Sequence, residues 1–407
     1  MKKYSKPELV SPAGDWSAMR GAVESGADSV YFGVKGLNMR ASASNFDAFE
    51  MKKIMKYLHD AGKKGYLTLN VVVFDDELPK IKKILRNAAD AKVDGVVLWD
   101  TAVLKLASSL GLNVHLSTQA SVANYDAVKF YSSLGVKRIV LARECSLVKI
   151  KNIIDRIKKD KLKCSVEVFI HGAMCVSISG RCFMSQVSFG KSANRGECVQ
   201  PCRREYTITD EQDGLKYVIG KDYVLSPNDV CAVGIIDDLI KIGVSAFKIE
   251  GRTRAPEYVK VVTAVYREAI DAFFDGRLDP DLKKKLYERL GEVYNRGLSS
   301  GFYLGEPDGR RSREPENIYE KVYLGEVVTF YKKIGVASVR LNNGGLKIGD
   351  EILIYGNTTP AGFIKVDGLE KDHTSVRSAQ KGQEVAIKVP FVARPHDKVF
   401  IWRNKLS

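Results

Sequence analysis

The chain has no apolar run approaching the roughly 18 residues needed to span a bilayer, and its start, Met1 to Pro7, is polar and basic with no apolar stretch behind it. These absences argue against a membrane partner and a secretory signal, so the expected location is cytoplasmic. Familiar catalytic templates are missing too. There is no H-E-x-x-H, no G-x-S-x-G and no Walker A loop. The segment Ser11-Pro12-Ala13-Gly14-Asp15 is not G-x-G-x-x-G, which removes the main support for an open dinucleotide-binding sheet. No short-period repeat or low-complexity tract is present.

What is there is a chain of 407 residues, 45% hydrophobic and 28% charged, which suits a globular protein of two domains. The net charge of +15 favours a polyanionic partner, because cations gain affinity for phosphate backbones by releasing counterions. Lysine-rich helix faces such as Lys151 to Lys163 and Lys283 to Lys285 account for part of that excess.

Short apolar runs alternate with longer amphipathic stretches, the pattern of βα units feeding a parallel sheet. Eight strands are predicted: Glu8 to Val10, Ser29 to Val34, Gly65 to Asn70, Gly95 to Trp99, Asn113 to Ser117, Arg138 to Ala142, Val166 to Ile170 and Ala246 to Ile249. The helical stretches between many of them stop at a glycine, as at Gly26, Gly62, Gly111, Gly135 and Gly243. Eight units close naturally as a (β/α)8 TIM-like barrel, here an α/β domain over residues 1–298. The seventh unit is the irregular one. After Ile170 the chain inserts a cysteine-rich loop, 172–205, then a hairpin, Tyr206 to Thr209 and Lys216 to Ile219, before the eighth strand. Helices are predicted at Pro256 to Gly276 and Asp281 to Arg296. A linker, 299–318, carries Arg310, Arg311 and Arg313, and residues 319–407 read as a small C-terminal all-β barrel of strand-length runs separated by turns.

Four of the seven cysteines, Cys175, Cys182, Cys198 and Cys202, fall in that loop with the spacing C-x6-C-x15-C-x3-C. In a reducing compartment such a cluster points to a metal rather than to disulfides. Structural zinc usually draws on close cysteine pairs, and only Cys198 and Cys202 are that close, so the long gaps favour a [4Fe-4S] cluster over zinc. The alternative is four small buried hydrophobes.

Residues just past the predicted strands are unusually polar: Asn70, Asp100, Gln119, Arg143, Glu144, His171, Glu250 and Arg252, with Arg40 in the loop after the second strand. In a barrel these converge on one mouth. His171, four residues before Cys175, is a candidate acid, base or cluster neighbour, with an inert strand-capping histidine as the alternative. A Cys175–His171 nucleophile pair is also open, although four thiols exceed its needs.

The stretch Glu167 to Ser185, with His171, Cys175 and Cys182, resembles the defining motif of peptidase family U32. Gly33 to Phe46, Ser117 to Ala120, Leu141 to Glu144, Cys198 to Tyr206, Ser226 to Asp229 and Phe247 to Arg252 resemble further family blocks in the same order. The resemblance implies oxygen-independent hydroxylation, most closely of a tRNA wobble uridine to 5-hydroxyuridine, with prephenate as hydroxyl source. The alternatives it carries are rRNA cytidine hydroxylation and a U32-type, collagenase-like protease. It further implies a [4Fe-4S] cluster on Cys175, Cys182, Cys198 and Cys202, with Cys231 the rival for the fourth position. Catalytic roles are then expected for His171, Arg143, Glu144 and Glu250. Arg40, Gln119, Arg143 and Arg252 are expected to bind the substrate, since the two carboxylates of prephenate suit arginine forks.

Overall fold

A computed structural model describes residues 4–41, 44–204, 206–219, 227–305 and 316–405. Ser42, Ala43, Glu205 and Ser226 of the motif blocks lie outside the described residues, as do Arg310, Arg311 and Arg313.

Seven parallel strands follow in order, β1 (Glu8–Ala13), β2 (Ser29–Gly33), β3 (Lys64–Leu69), β4 (Gly95–Leu98), β5 (Val114–Leu116), β6 (Arg138–Val140) and β7 (Ser165–Gly172). Between them run α1 (Trp16–Glu24), α2 (Met51–Asp60), α3 (Leu78–Asp90), α4 (Thr101–Ser109), α5 (Tyr125–Ser133) and α6 (Leu147–Lys159). Each helix turns one apolar stripe to the sheet. In α6 the stripe is Ile150, Ile153, Ile154 and Ile157, the i, i+3, i+4, i+7 spacing of a helix face. The side chains of Asp15, Asp100, Asn124 and Ser146 accept the backbone N–H three residues on and so start four of the helices. Helices also stop one or two residues before Gly26, Gly62, Gly111, Gly135 and Gly243, as the sequence signals.

Past β7 come a short helix α7 (Met184–Phe189), the hairpin β8 (Tyr206–Thr209) and β9 (Lys216–Ile219), β10 (Asp229–Cys231), α8 (Ile236–Ile242) and β11 (Ala246–Ile249). β11 pairs with β1 on one side and β7 on the other, closing an eight-stranded parallel ring. β10 adds antiparallel to the end of β7, and β12 (Leu298–Ser299) adds to β10. Helices α9 (Pro256–Phe274) and α10 (Pro280–Glu292) follow the ring.

The second domain is an eight-stranded antiparallel sheet wrapped on its own core, which includes Leu324, Val327, Val339, Ile352, Ile387 and Val399. Its other face joins the core of the first domain through Leu353, Phe400 and Trp402. Polar ties reinforce the junction: Lys321 pairs with Glu257 at 2.6 Å, and Ser17 Oγ donates to the Thr359 carbonyl at 3.0 Å. No helix among the described residues is long and apolar enough to cross a membrane.

Charge, rather than hydrocarbon alone, fills the inside of the ring. Arg138 on β6 bonds Glu8 on β1 at 2.8 Å and Glu167 on β7 at 3.3 Å, and Glu167 takes Lys248 of β11 at 2.7 Å. Tyr66 donates to Glu8 at 2.5 Å, and Lys248 sits 4.6 Å over the Tyr31 ring. Burial alone would raise both carboxyls. Arg138, helped by Tyr66, holds Glu8 well below its ordinary value, and Lys248, Arg138 and His115 do the same for Glu167. A depressed carboxyl stabilises the fold above the unfolded value near 4.5 and loses that contribution as pH falls toward the folded one. Acid should therefore loosen the ring below about pH 4.5, read by near-ultraviolet circular dichroism. Glu167→Gln, which strands the buried Lys248 charge, should cost about 3–5 kcal/mol in urea unfolding at neutral pH.

Candidate active site

The polar strand ends meet at the mouth in a narrow cavity of about 50 Å³, lined by residues that include Arg40, Asn70, Gln119, Arg143, Glu250 and Arg252. Arg40 comes from the loop after β2. It bonds the Glu250 carboxylate at 2.8 Å and the Met39 carbonyl at 3.0 Å, while Asn38 Oδ1 accepts its backbone N–H. Burial opposes the Arg40 charge, but Glu250, Tyr31 and Cys198 more than restore it. Glu250 is held below its ordinary range in turn, because Arg40, Arg254 and Arg143 outweigh burial.

Arg252 is buried and donates at 2.8 Å to two neutral acceptors, Asn38 Oδ1 and Thr68 Oγ1. Burial, with Arg40 close by, pulls its guanidinium down to about 10. Arg143 lies 4.1 Å over the Phe169 ring, and among the described residues no carboxylate pairs with it. Burial dominates and lowers it, Arg40 adds to the lowering, and Glu250, Cys175 and Glu144 oppose. Gln119 has its carboxamide oxygen occupied by Asn70 Nδ2 at 3.1 Å and by the Ser117 hydroxyl. Among the described residues its amide hydrogens have no partner. The mouth is thus preset for an anion, with more cationic groups than carboxylates to meet them.

The cysteine loop lies across this mouth. Arg195 bonds Glu77 and the Val72 carbonyl, Val72 N–H donates to Asn194 at 3.2 Å, and Ser179 and Arg181 both reach Ser121. Gly196, at φ 86°, brings its backbone so near the loop after β2 that a Cβ there would stand 2.1 Å from the Asn38 carbonyl oxygen. Within the loop three thiols accept hydrogen bonds: Cys175 from Ser177 N–H at 3.4 Å, Cys182 from Met184 N–H at 3.3 Å and Cys198 from Ser185 Oγ at 3.8 Å. Cys202 is raised by burial and by the charges of Cys175, Cys198 and Cys182, with Arg203 opposing. Cys175 and Cys198 are exposed; Cys182 and Cys202 are half-buried. The other three cysteines differ. Cys145, Cys164 and Cys231 are buried, and burial pushes each thiol up to about 11.

Cys231, the expected rival fourth ligand, pairs with His171 in the β7–β10 ladder and lies against the Tyr266 hydroxyl at 3.7 Å, apart from the quartet. His171 does not face the mouth. Strand alternation puts Glu167, Phe169 and His171 on one face, but the β7–β11 register shifts after Phe169 and turns His171 outward. Its Nδ1 lies 3.3 Å from the Tyr266 hydroxyl, and burial with the charge of Arg254 pulls the imidazole down to about 3. A neutral, buried histidine bolting β7 to α9 corrects the expectation of a catalytic acid or base. Glu144 sits beside Arg143 but off the cavity wall, with Oε2 buried and unbonded. Asp100 is spent as the N-cap of α4. Sequence reasoning missed Lys248, Tyr31, Thr68 and Phe169 on the wall and Asn38 behind it. Lys248 was the readable one, two residues before Glu250 and so on the same strand face.

A sequence profile described as Peptidase family U32 matches residues 14–313. An uncharacterised protease of Methanocaldococcus jannaschii is 42% identical over 98% of this chain and 99% of its own. A protein named collagenase from Porphyromonas gingivalis is 38% identical over 97% of each. A protein named tRNA hydroxylation protein P1 from Bacillus subtilis is 32% identical over 86% of this chain and 84% of its own.

The seat of the loop is testable at its tightest contact. Gly196→Val should lift the loop, so that trypsin cuts at Lys191 and Arg195 faster, while the melting temperature of the barrel changes little.

Proposed function

We infer the function from a fixed premise: this chain belongs to peptidase family U32. The reading that best suits the site is RNA hydroxylation at a carbon of a pyrimidine base, with tRNA uridine as the substrate. One observation carries it: a loop with four thiols seated over a cavity where, among the described residues, Arg143 has no carboxylate partner. The relative named for tRNA hydroxylation aligns with most of the chain and supports the substrate.

The four loop cysteines fit a [4Fe-4S] cluster. All are thiols, three already accept hydrogen bonds of the kind that stabilise anionic sulfur, and Cys202 feels the charge of the other three. Among the described residues no three Cys, His, Asp or Glu side chains are placed to hold a single metal ion. Cys175, Cys182, Cys198 and Cys202 would hold the cluster, and when bound it supplies electron transfer or a Lewis-acidic iron at the mouth.

The rest of the chemistry belongs to the chain. Arg143 and Arg252 are set to take the carboxylates of prephenate, the proposed hydroxyl source, and the free Gln119 amide hydrogens to orient it. Glu250 holds Arg40 in place and is the nearest carboxylate for receiving a proton. A cavity of about 50 Å³ admits one charged end of such a molecule, so Arg40 and the overlying loop must yield to admit the rest.

The names of two relatives favour a protease as the second reading. Among the described residues, however, no histidine hydrogen-bonds a cysteine or serine, and His171 is committed to Tyr266.

Purified without oxygen, the chain should carry iron and sulfide in equal amounts, and Cys175→Ser should lose both. Zinc in their place would overturn the cluster. Mass spectrometry of tRNA from a deletion strain should lack 5-hydroxyuridine derivatives, restored by the native gene and not by Cys175→Ser. Unchanged tRNA with missing rRNA 5-hydroxycytidine would move the substrate to the ribosome, and peptide cleavage surviving loss of all four cysteines would favour the protease.

A further inference from the structure

The loop that carries the thiols also carries an uncovered apolar stripe. Phe183 is 72% exposed and Val187 83%, one helical turn apart with Val187 N–H bonded to the Phe183 carbonyl at 2.9 Å. The stripe starts at the residue after Cys182, whose sulfur accepts the Met184 N–H. At the end of α7, Phe189 lies under the Arg204 guanidinium at 4.2 Å. Single exposed apolar side chains are ordinary, but here two adjoin on one helical face beside the mouth, which makes the face a candidate contact surface.

Charge selects the occupant. Arg181, Lys191 and Arg204 are exposed around the stripe, and among the described residues none of them pairs with a carboxylate. The loop from 172 to 204 holds five arginines and lysines against one acid, Glu197. A surface that is both flatly apolar and cationic complements unpaired nucleotides, whose bases stack on aromatic rings and whose phosphates attract the rim. A duplex offers only its backbone, because its bases are already stacked.

We propose that the Phe183–Val187 face of α7, with Phe189 and Arg204, is a stacking platform for unpaired RNA bases, holding a single-stranded loop beside the thiols. The proposal rests on the RNA reading above and assigns it a surface. A base drawn from the stack onto this platform lies next to the mouth, where chemistry on the base edge is possible.

The test is fluorescence anisotropy with the full chain and two probes, a labelled RNA stem-loop and a blunt duplex of the same stem. Phe183→Ala with Val187→Ser should weaken stem-loop binding about tenfold, leave duplex binding unchanged and leave the salt dependence as it was. Phe183→Tyr, which keeps the ring, should bind like the native chain and guards against a folding artefact. Equal stem-loop affinity in the native chain and the double variant would sink the platform while leaving the RNA reading intact. Failure of the native chain to bind either RNA would remove both. Loss of self-association in sedimentation, with RNA affinity unchanged, would reassign the stripe to a contact between two copies and overturn the proposal.

Discussion

The pairing of β7 with β11 is the constraint on which everything at the mouth depends. These strands close the ring although the whole cysteine loop, a hairpin, β10 and α8 separate them in sequence. Their ladder starts with Ala246 opposite Glu167 and slips by one residue after Phe169. Before the slip, inward positions deliver Glu167 and Lys248 to the ring interior; after it, Glu250 goes to the mouth and His171 goes to the outer helix. Gly172 closes this corner at φ 104°, where a Cβ would stand 2.7 Å from the Glu250 carbonyl oxygen. The turn into the cysteine loop is therefore built on contact with the residue that holds Arg40.

Two layers of charge follow from that closure. The lower one is balanced: Glu8 and Glu167 face Arg138 and Lys248, each cation within bonding distance of a carboxylate. The upper one is not. Among the described residues Arg40 has Glu250, but Arg252 has an amide and a hydroxyl, and Arg143 has an aromatic face. Burying cations against neutral partners costs free energy that an arriving anion can return. The balanced layer ties the fold together and the unbalanced layer leaves cations open to an anion, with Lys248 touching both.

Much of this was legible in the sequence because it rests on local rules. Apolar runs such as Gly95 to Trp99 and amphipathic stretches such as Lys151 to Lys163 announce strand and helix by period, and all eight strands were found. Arg143, Gln119 and Glu250 were found because strand ends share one mouth. The misses have a different origin. The bulge that turns His171 away is a property of two strands distant in sequence, invisible from either. Asp100 was counted among the polar strand ends of the mouth, but just past a strand and just before a helix it is the N-cap of α4. Asn38 acts through a loop with no periodicity at all. The separation of Cys231 from the quartet depends on β10, a three-residue strand whose antiparallel partner could not be guessed.

The filled ring has a last consequence, concerning traffic. Glu8, Arg138, Glu167, Lys248 and two tyrosines bond to one another across the interior and plug the ring below the cavity. At the other end the cysteine loop is fastened to the rim of the cavity, through Gly196 at Asn38 and Arg195 at Val72. On the function proposed above, a small ligand would enter before an RNA settles on that rim, and its remnant would wait for the RNA to leave. That order of arrival and departure would then be set by the plug at the bottom of the barrel rather than by any lid at the top.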